Sequence, residues 1–94
     1  MEKLSIKKIK TALATVPDWK KKDLVIVRAY QFKDFPAAIK FVSAAAGLAE
    51  RARHHPDIDI RWNKVTLTLT THDAGGLTEK DFDLAGKFDR LLLR

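Results

Sequence analysis

The sequence predicts an α+β fold in which helices cover one face of a four-stranded antiparallel sheet. Two hydrophobic patterns carry this prediction. Apolar residues recur at three- and four-residue spacing between 35 and 52, and they alternate with threonine between 65 and 70. The predicted order is helix, two strands, helix, two strands, helix. No repeat or linker interrupts the 94 residues, so we expect residues 1–94 to form one domain.

The composition is that of a small protein with one hydrophobic core. Apolar residues make up 46% of the chain, which is too many for a disordered protein. No apolar stretch approaches the roughly 18 to 20 residues of a membrane helix, and the first ten residues lack the apolar core of a signal peptide. We therefore expect a cytoplasmic protein without membrane contact. The absence of cysteine excludes disulfides, thiolate catalysis and cysteine-based metal sites.

The net charge of +6 favours an approach to anionic molecules. Lysines cluster in two places, residues 7–10 and 20–22, with Trp19 as the only aromatic residue beside these clusters. A platform for stacking single-stranded nucleic acid needs more interleaved aromatic rings. We interpret the lysines as a solvated face and do not expect direct nucleic-acid binding. The alternative, a nucleic-acid binder, predicts an affinity that falls steeply with salt.

The helix boundaries follow from capping residues and prolines. Ser5 and Asp34 are the predicted N-caps of the first two helices, and Thr78 with Asp81 has the spacing of a capping box at the third. Pro56 disfavours helical geometry at the residue before it, so the second helix must end at or before a histidine pair. The predicted core faces are Ile6, Ile9 and Leu13 in the first helix; Phe35, Ala38, Ile39, Val42, Ala45, Ala46, Ala49 and Ala52 in the second; and Phe82, Ala85, Phe88 and Leu92 in the third.

Three histidines are the strongest candidates for chemistry. His54 and His55 precede a short strand at 58–62, and His72 follows the alternating strand at 65–70. Antiparallel pairing across a tight turn near Asn63 sets residues near 56 opposite residues near 71. All three rings are therefore expected to share one cleft. Histidine has an unperturbed pKa of about 6.5, which suits proton transfer near neutrality.

Four carboxylates lie close to the histidine segments in the sequence. Carboxylates at Glu50, Asp57, Asp73 and Asp81 are candidates for orienting the rings or binding polar groups of a substrate. Each also has a structural interpretation, as a solvated helix residue, a turn residue or part of a cap. No metal site is expected, because adjacent histidines on an extended segment point in opposite directions and no H-x-H or H-x-x-x-H spacing occurs. No nucleophile elbow or phosphate-binding loop is present either.

Residues 49–85 resemble the signature region of the pterin-4a-carbinolamine dehydratases and read AERARHHPDIDIRWNKVTLTLTTHDAGGLTEKDFDLA. The shared pattern is an acid four residues before His-His-Pro, an aromatic-Asn pair, an alternating strand ending in Thr-His, and Gly-Leu-Thr before an acid. The resemblance implies dehydration of 4a-hydroxytetrahydropterin to quinonoid dihydropterin, in pterin recycling, without metal or cofactor. It implies His54 and His72 as the main acid-base pair and His55 as an assisting residue. The pterin-binding or supporting residues that it implies are Glu50, Pro56, Thr70, Thr71, Asp73 and Asp81.

The sequence departs from the family pattern at two positions. Ile58 stands where an aromatic residue is frequent, and Arg53 where an acid is frequent. Trp62 keeps the aromatic type of its position, and a core role is expected for it. The resemblance also implies a homodimer or homotetramer. It leaves open an alternative function as a protein-binding module, a dimerisation partner of a transcription regulator with a secondary or vestigial active site.

Overall fold

The structure, a computed structural model, describes residues 2–93. The predicted element order and antiparallel sheet are confirmed, and the strands lie side by side in the order β1-β2-β4-β3. None of the helices within the described residues is long and apolar enough to cross a membrane. The elements are α1 (Ile6–Leu13), β1 (Lys20–Lys22), β2 (Val25–Gln31), α2 (Phe35–Ala52), β3 (Asp57–Arg61), β4 (Lys64–Leu69) and α3 (Glu79–Arg90), with short 3₁₀ turns at His72–Ala74 and Leu91–Leu93.

The alternation in β4 separates the two faces of the sheet. Val65, Leu67 and Leu69 are fully buried on the face that carries the helices, while the threonines between them are only half-buried on the other face. Ile26 and Tyr30 of β2 lie opposite Leu69 and Val65 and extend the buried surface. The core therefore lies between the centre of the sheet and the three helices.

The predicted caps are confirmed in atomic detail. The Lys8 backbone N–H donates to Ser5 Oγ at 3.2 Å, and the Ala37 backbone N–H donates to Asp34 Oδ1 at 2.9 Å. The predicted capping box at the start of α3 is complete. Helix α2 ends at Ala52, and its C-cap Arg53 takes a left-handed conformation with φ 53° and ψ 41°. The chain therefore leaves the helix just before the histidine pair, as Pro56 requires.

The predicted core face of α2 is partly wrong. Phe35, Ile39 and Ala46 are exposed, whereas Phe41, which the pattern did not place in the core, is buried. The Phe41 ring packs 4.6 Å from that of Tyr30, measured between centroids. The helix carries apolar residues on two adjacent faces, and only the one turned toward the sheet and α3 is covered. Ile6 and Leu92 are also exposed, the first in the opening turn of α1 and the second beyond α3.

The turn between β3 and β4 differs from the prediction in position and in burial. It comprises Trp62 and Asn63, because Arg61 pairs with Lys64. Trp62 adopts a left-handed φ of 52° and is 69% exposed, so the expected core role is wrong. Asn63 is the buried anchor instead, since its side-chain amide donates to the Phe32 carbonyl at 2.7 Å. The expected turn residues were Asn63 and Lys64, so the turn lies one residue earlier than expected and the strand register is shifted by two.

A carboxylate near the end of α3 ties the helix layer to the sheet. Asp89 accepts hydrogen bonds from Trp19 Nε1 at 3.0 Å, Arg28 Nη1 at 2.8 Å and the Tyr30 hydroxyl at 2.6 Å. Burial raises the pKa of Tyr30 far above its usual value, and the hydrogen bond to Asp89 raises it further. These contacts join α3, β2 and the segment before β1.

Candidate active site

Two segments meet at one end of the sheet, the exit of α2 and the end of β4. Asp57 lies opposite Thr68, and continuing this register brings position 54 opposite position 71. The three predicted histidines line one cleft of about 280 Å³. The lining residues are Arg53, His54, His55, Thr70, Thr71, His72, Asp73 and Lys80.

His54 is held from behind by a buried carboxylate. Its Nε2 lies 2.6 Å from Asp81 Oδ1, and its side chain is only 11% exposed while that of Asp81 is fully buried. Asp81 Oδ2 accepts two further hydrogen bonds, from the Thr71 hydroxyl at 2.8 Å and the Thr78 backbone N–H at 2.9 Å. Asp81 is the acceptor in both hydrogen bonds at Oδ2, and when it also accepts at Oδ1 the donor is a proton on Nε2 of His54. Nδ1 is then the nitrogen of His54 that remains for another partner.

His55 and His72 occupy the solvent side of the cleft. His55 Nε2 lies 2.9 Å from Glu50 Oε1, and both side chains are exposed. An exposed pair of this kind contributes little to stability. The strand ends at Leu69, and His72 begins the 3₁₀ turn that follows it, exposed to solvent. His72 has no hydrogen-bonded side-chain partner within residues 2–93, so its ring is available to a bound molecule.

The remaining predicted site residues fall into two groups. Thr70, Thr71 and Asp73 line the cleft, although the Thr70 hydroxyl already donates to the Leu24 carbonyl at 2.7 Å. The residues that do not line it are Glu50, which reaches the rim through His55, the half-buried Pro56, the exposed Asp57 at the start of β3, and Asp81, which lies behind His54.

Two cations line the cleft and were not predicted as site residues. Arg53 precedes the histidine pair, and Lys80 lies in the first turn of α3, next to Asp81. Lys80 could have been predicted from the sequence because it is the neighbour of Asp81. The first turn of α3, which brings Asp81 to His54, also brings Lys80 to the cleft. The positive charges of Arg53 and Lys80 favour the binding of a polar or electron-rich ligand.

Other parts of the described chain offer weaker candidates. Within residues 2–93 no group of three histidine, cysteine or acidic side chains is arranged to hold a metal ion. A larger pocket of about 390 Å³ lies near the start of the chain, between Leu4 and Glu79, but no histidine lines it. The smaller histidine cleft is the better candidate because it brings proton-transfer groups together.

The protein is a small α+β domain with three histidines in one cleft, and a buried carboxylate contacts one of them. These side chains are suited to acid-base chemistry. Residues 2–91 match the family described as pterin 4 alpha carbinolamine dehydratase. The chain belongs to this family.

Relatives cover nearly the whole chain. A protein of Chloroflexus aurantiacus, provisionally named a pterin-4-alpha-carbinolamine dehydratase, is 56% identical over 92 residues, which are 98% of this chain and 99% of that protein. A protein of Picosynechococcus with the same provisional name is 55% identical over 89 residues, covering 95% and 97% of the two chains.

Two solved structures are also similar. A protein from Brucella melitensis, described as a transcriptional coactivator/pterin dehydratase, superposes with a TM-score of 0.92 at 36% identity over 96% of this chain and 98% of that one. A pterin dehydratase-like protein, described as a RuBisCO assembly factor in the alpha-carboxysome, superposes with a TM-score of 0.64 at 24% identity, covering 78% and 84%. The second likeness shows a shared fold only.

Proposed function

We propose that this protein dehydrates a 4a-hydroxytetrahydropterin to the quinonoid dihydropterin and water, in the recycling of reduced pterins. The observation that carries the proposal is the cleft shared by His54, His55 and His72, with His54 fixed by Asp81. Collapse of the carbinolamine requires a proton delivered to the departing 4a-hydroxyl and a proton withdrawn from N5. Imidazoles on different sides of one cleft suit these two transfers.

The environments of the rings support a division of roles. His54 is the proposed base at N5, because Asp81 at 2.6 Å stabilises the imidazolium that forms when Nδ1 accepts the proton. His72 is the proposed acid at the hydroxyl, since its exposed ring has access to protons from solvent. His55 is proposed to assist at the rim, where Glu50 orients it. Thr70 and Asp73 are the proposed pterin-binding side chains on the opposite wall, and Thr71 between them lines that wall while its hydroxyl is engaged by Asp81.

The proposal is tested by following the dehydration of 4a-hydroxytetrahydropterin by absorbance. We expect the purified protein to exceed the uncatalysed rate, and His54→Ala and His72→Ala each to lower kcat/KM at least about tenfold, because each removes one proton-transfer group. Lys21→Ala, on the exposed strand β1, is the control and should match the wild type. A wild-type rate equal to the uncatalysed rate would contradict the proposal.

A second candidate is a protein-binding module. The description of the similar Brucella melitensis protein as both a coactivator and a dehydratase favours it. The same assay separates the two, because a module with a vestigial site shows no catalysis and no response to His54→Ala. A cytoplasmic location stays a prediction from the sequence.

We also propose that the protein associates with a second copy of itself along β3. All five residues of this edge strand are exposed, and Ile58 and Ile60 alternate with charged residues. The opposite edge, β1, consists of three exposed lysines, which oppose pairing with another strand. Two copies of β3, antiparallel and centred on Ile60, place Asp59 of each copy opposite Arg61 of the other.

The association is tested by charge reversal and rescue in sedimentation experiments. We expect Asp59→Arg to weaken the dimer at least about tenfold, because like charges then face each other, and the double variant Asp59→Arg/Arg61→Asp to restore it. Lys21→Asp on β1 is the control and should leave the dimer intact. A wild type that is monomeric at all concentrations, or a double variant as weak as the single one, contradicts the proposed interface.

A further inference from the structure

A chain of buried hydroxyl groups leads to Asp81. The Thr71 hydroxyl lies 2.8 Å from Asp81 Oδ2, and the Thr78 hydroxyl lies 2.8 Å from that of Thr71. Thr78 and Asp81 are fully buried, and Thr71 is 9% exposed. The N-cap of α3 accounts for Thr78 but not for Thr71, which comes from the segment after β4. The Thr71 hydroxyl therefore does something other than cap the helix.

The direction of each hydrogen bond follows from the number of protons available. Asp81 only accepts, so the single hydroxyl proton of Thr71 points at Asp81 Oδ2. Thr71 Oγ1 is then the acceptor for the Thr78 hydroxyl, and Thr78 Oγ1 in turn accepts from the Lys80 backbone N–H at 3.3 Å. The Thr71 hydroxyl proton therefore points at Asp81, and the Thr78 hydroxyl proton points at Thr71. Asp81 Oδ2 accepts from the Thr71 hydroxyl and the Thr78 backbone N–H, and Oδ1 is left for His54.

We infer that Thr71 and Thr78 are positioning residues that hold His54 in the tautomer with its proton on Nε2. With Oδ2 held by Thr71 and Thr78, the Asp81 carboxylate cannot rotate away, and Oδ1 stays directed at His54 Nε2. Nδ1 then keeps the lone pair that a base requires. The inference rests on the proposed dehydration for its catalytic meaning, but the tautomer is a property of the resting protein.

Thr71 also links the two walls of the cleft. Its backbone N–H donates to the Gly76 carbonyl at 3.1 Å, and the Gly76 N–H returns a bond to the Thr71 carbonyl at 3.3 Å. The turn that bears His72 is closed by this pair. One residue therefore orients His54 through its hydroxyl and anchors His72 through its backbone.

The kinetic test removes the hydroxyl without changing the shape of the side chain. We expect Thr71→Val to lower kcat about tenfold with KM little changed, because one charge-assisted hydrogen bond is lost behind the base and none at the substrate. Thr71→Ser retains the hydroxyl and should stay within about twofold of the wild type. A Thr71→Val enzyme with the wild-type kcat overturns the inference.

The structural test reads the tautomer directly by ¹⁵N NMR of the imidazoles, with His54→Gln identifying the resonances of His54. We expect proton occupancy on Nε2 in the wild type and a growing Nδ1–H population in Thr71→Val. A wild-type His54 protonated on Nδ1 overturns the inference even if Thr71→Val fails to fold. An Nε2–H tautomer that depends on Thr71, in a protein without dehydratase activity, supports the positioning role and contradicts the proposed function.

Discussion

Asp81→Asn is expected to lower kcat/KM for the dehydration by about 10²- to 10⁴-fold, the range of a lost general base, while the fold is retained. An amide oxygen in place of Oδ2 still accepts from Thr71 and Thr78, so the buried network stays satisfied. The amide nitrogen then faces His54 and can only donate to Nε2. The imidazole must move its proton to Nδ1, which removes the lone pair that would abstract the N5 proton.

The control for Asp81→Asn is a substitution of another carboxylate on α3, one that lies outside the cleft. Glu79→Gln removes an exposed charge in the first turn of α3 and is expected to leave kcat/KM within about twofold. Circular dichroism and thermal unfolding show whether each variant is folded. Retention of wild-type kcat/KM by a folded Asp81→Asn protein would contradict the role of His54 as the base.

Asp89→Ala is expected to reduce the free energy of unfolding by about 3 kcal/mol, the scale for removing one partner of a largely buried ion pair. Asp89 and Arg28 have side chains that are 23% and 17% exposed, so water reaches the pair only in part. The substitution leaves the Trp19 and Tyr30 donors without their acceptor. Asp18 cannot replace Asp89 as the partner of Arg28, because the Asp18 carboxylate lies 3.6 Å from Arg28 and is exposed to solvent.

The loss is measured by urea unfolding at neutral pH. Neutral pH is chosen because of Tyr30, whose pKa is raised in the folded state. The contribution of Tyr30 to the free energy of unfolding is complete below its unfolded pKa of about 10 and declines as the pH rises beyond that value. Asp83→Ala, an exposed carboxylate of the same helix, should change the free energy by no more than about 0.5 kcal/mol. A loss below about 1 kcal/mol for Asp89→Ala would show that the cluster is not a main support of the fold.

The predictions that succeeded depend on neighbours in the chain. Ser5, Asp34 and Thr78 cap helices because their side chains reach backbone N–H groups two or three residues ahead. Helix α2 ends before the histidine pair, within the limit that Pro56 sets by restricting the residue before it. The alternation in β4 places its valine and leucines on one face, since successive side chains of a strand point in opposite directions.

The predictions that failed concern surfaces that only docking decides. Helix α2 has enough apolar residues for two buried faces, and Phe35 and Ile39 lie on the one that the described chain leaves uncovered. Trp62 is apolar but occupies a left-handed turn that projects its ring into solvent. Hydrophobicity favours burial, but the arrangement of the other elements determines which residues are covered.

The element order, the helix ends and the candidacy of His54, His55 and His72 were predictable from the sequence, because they follow from local chemistry and from hairpin pairing. The tertiary structure alone decided that Asp81 stands behind His54 through a bond spanning 27 residues, and that Asp89 meets Trp19 across 70. Such contacts depend on how α3 packs on the sheet, and no spacing along the chain encodes that packing.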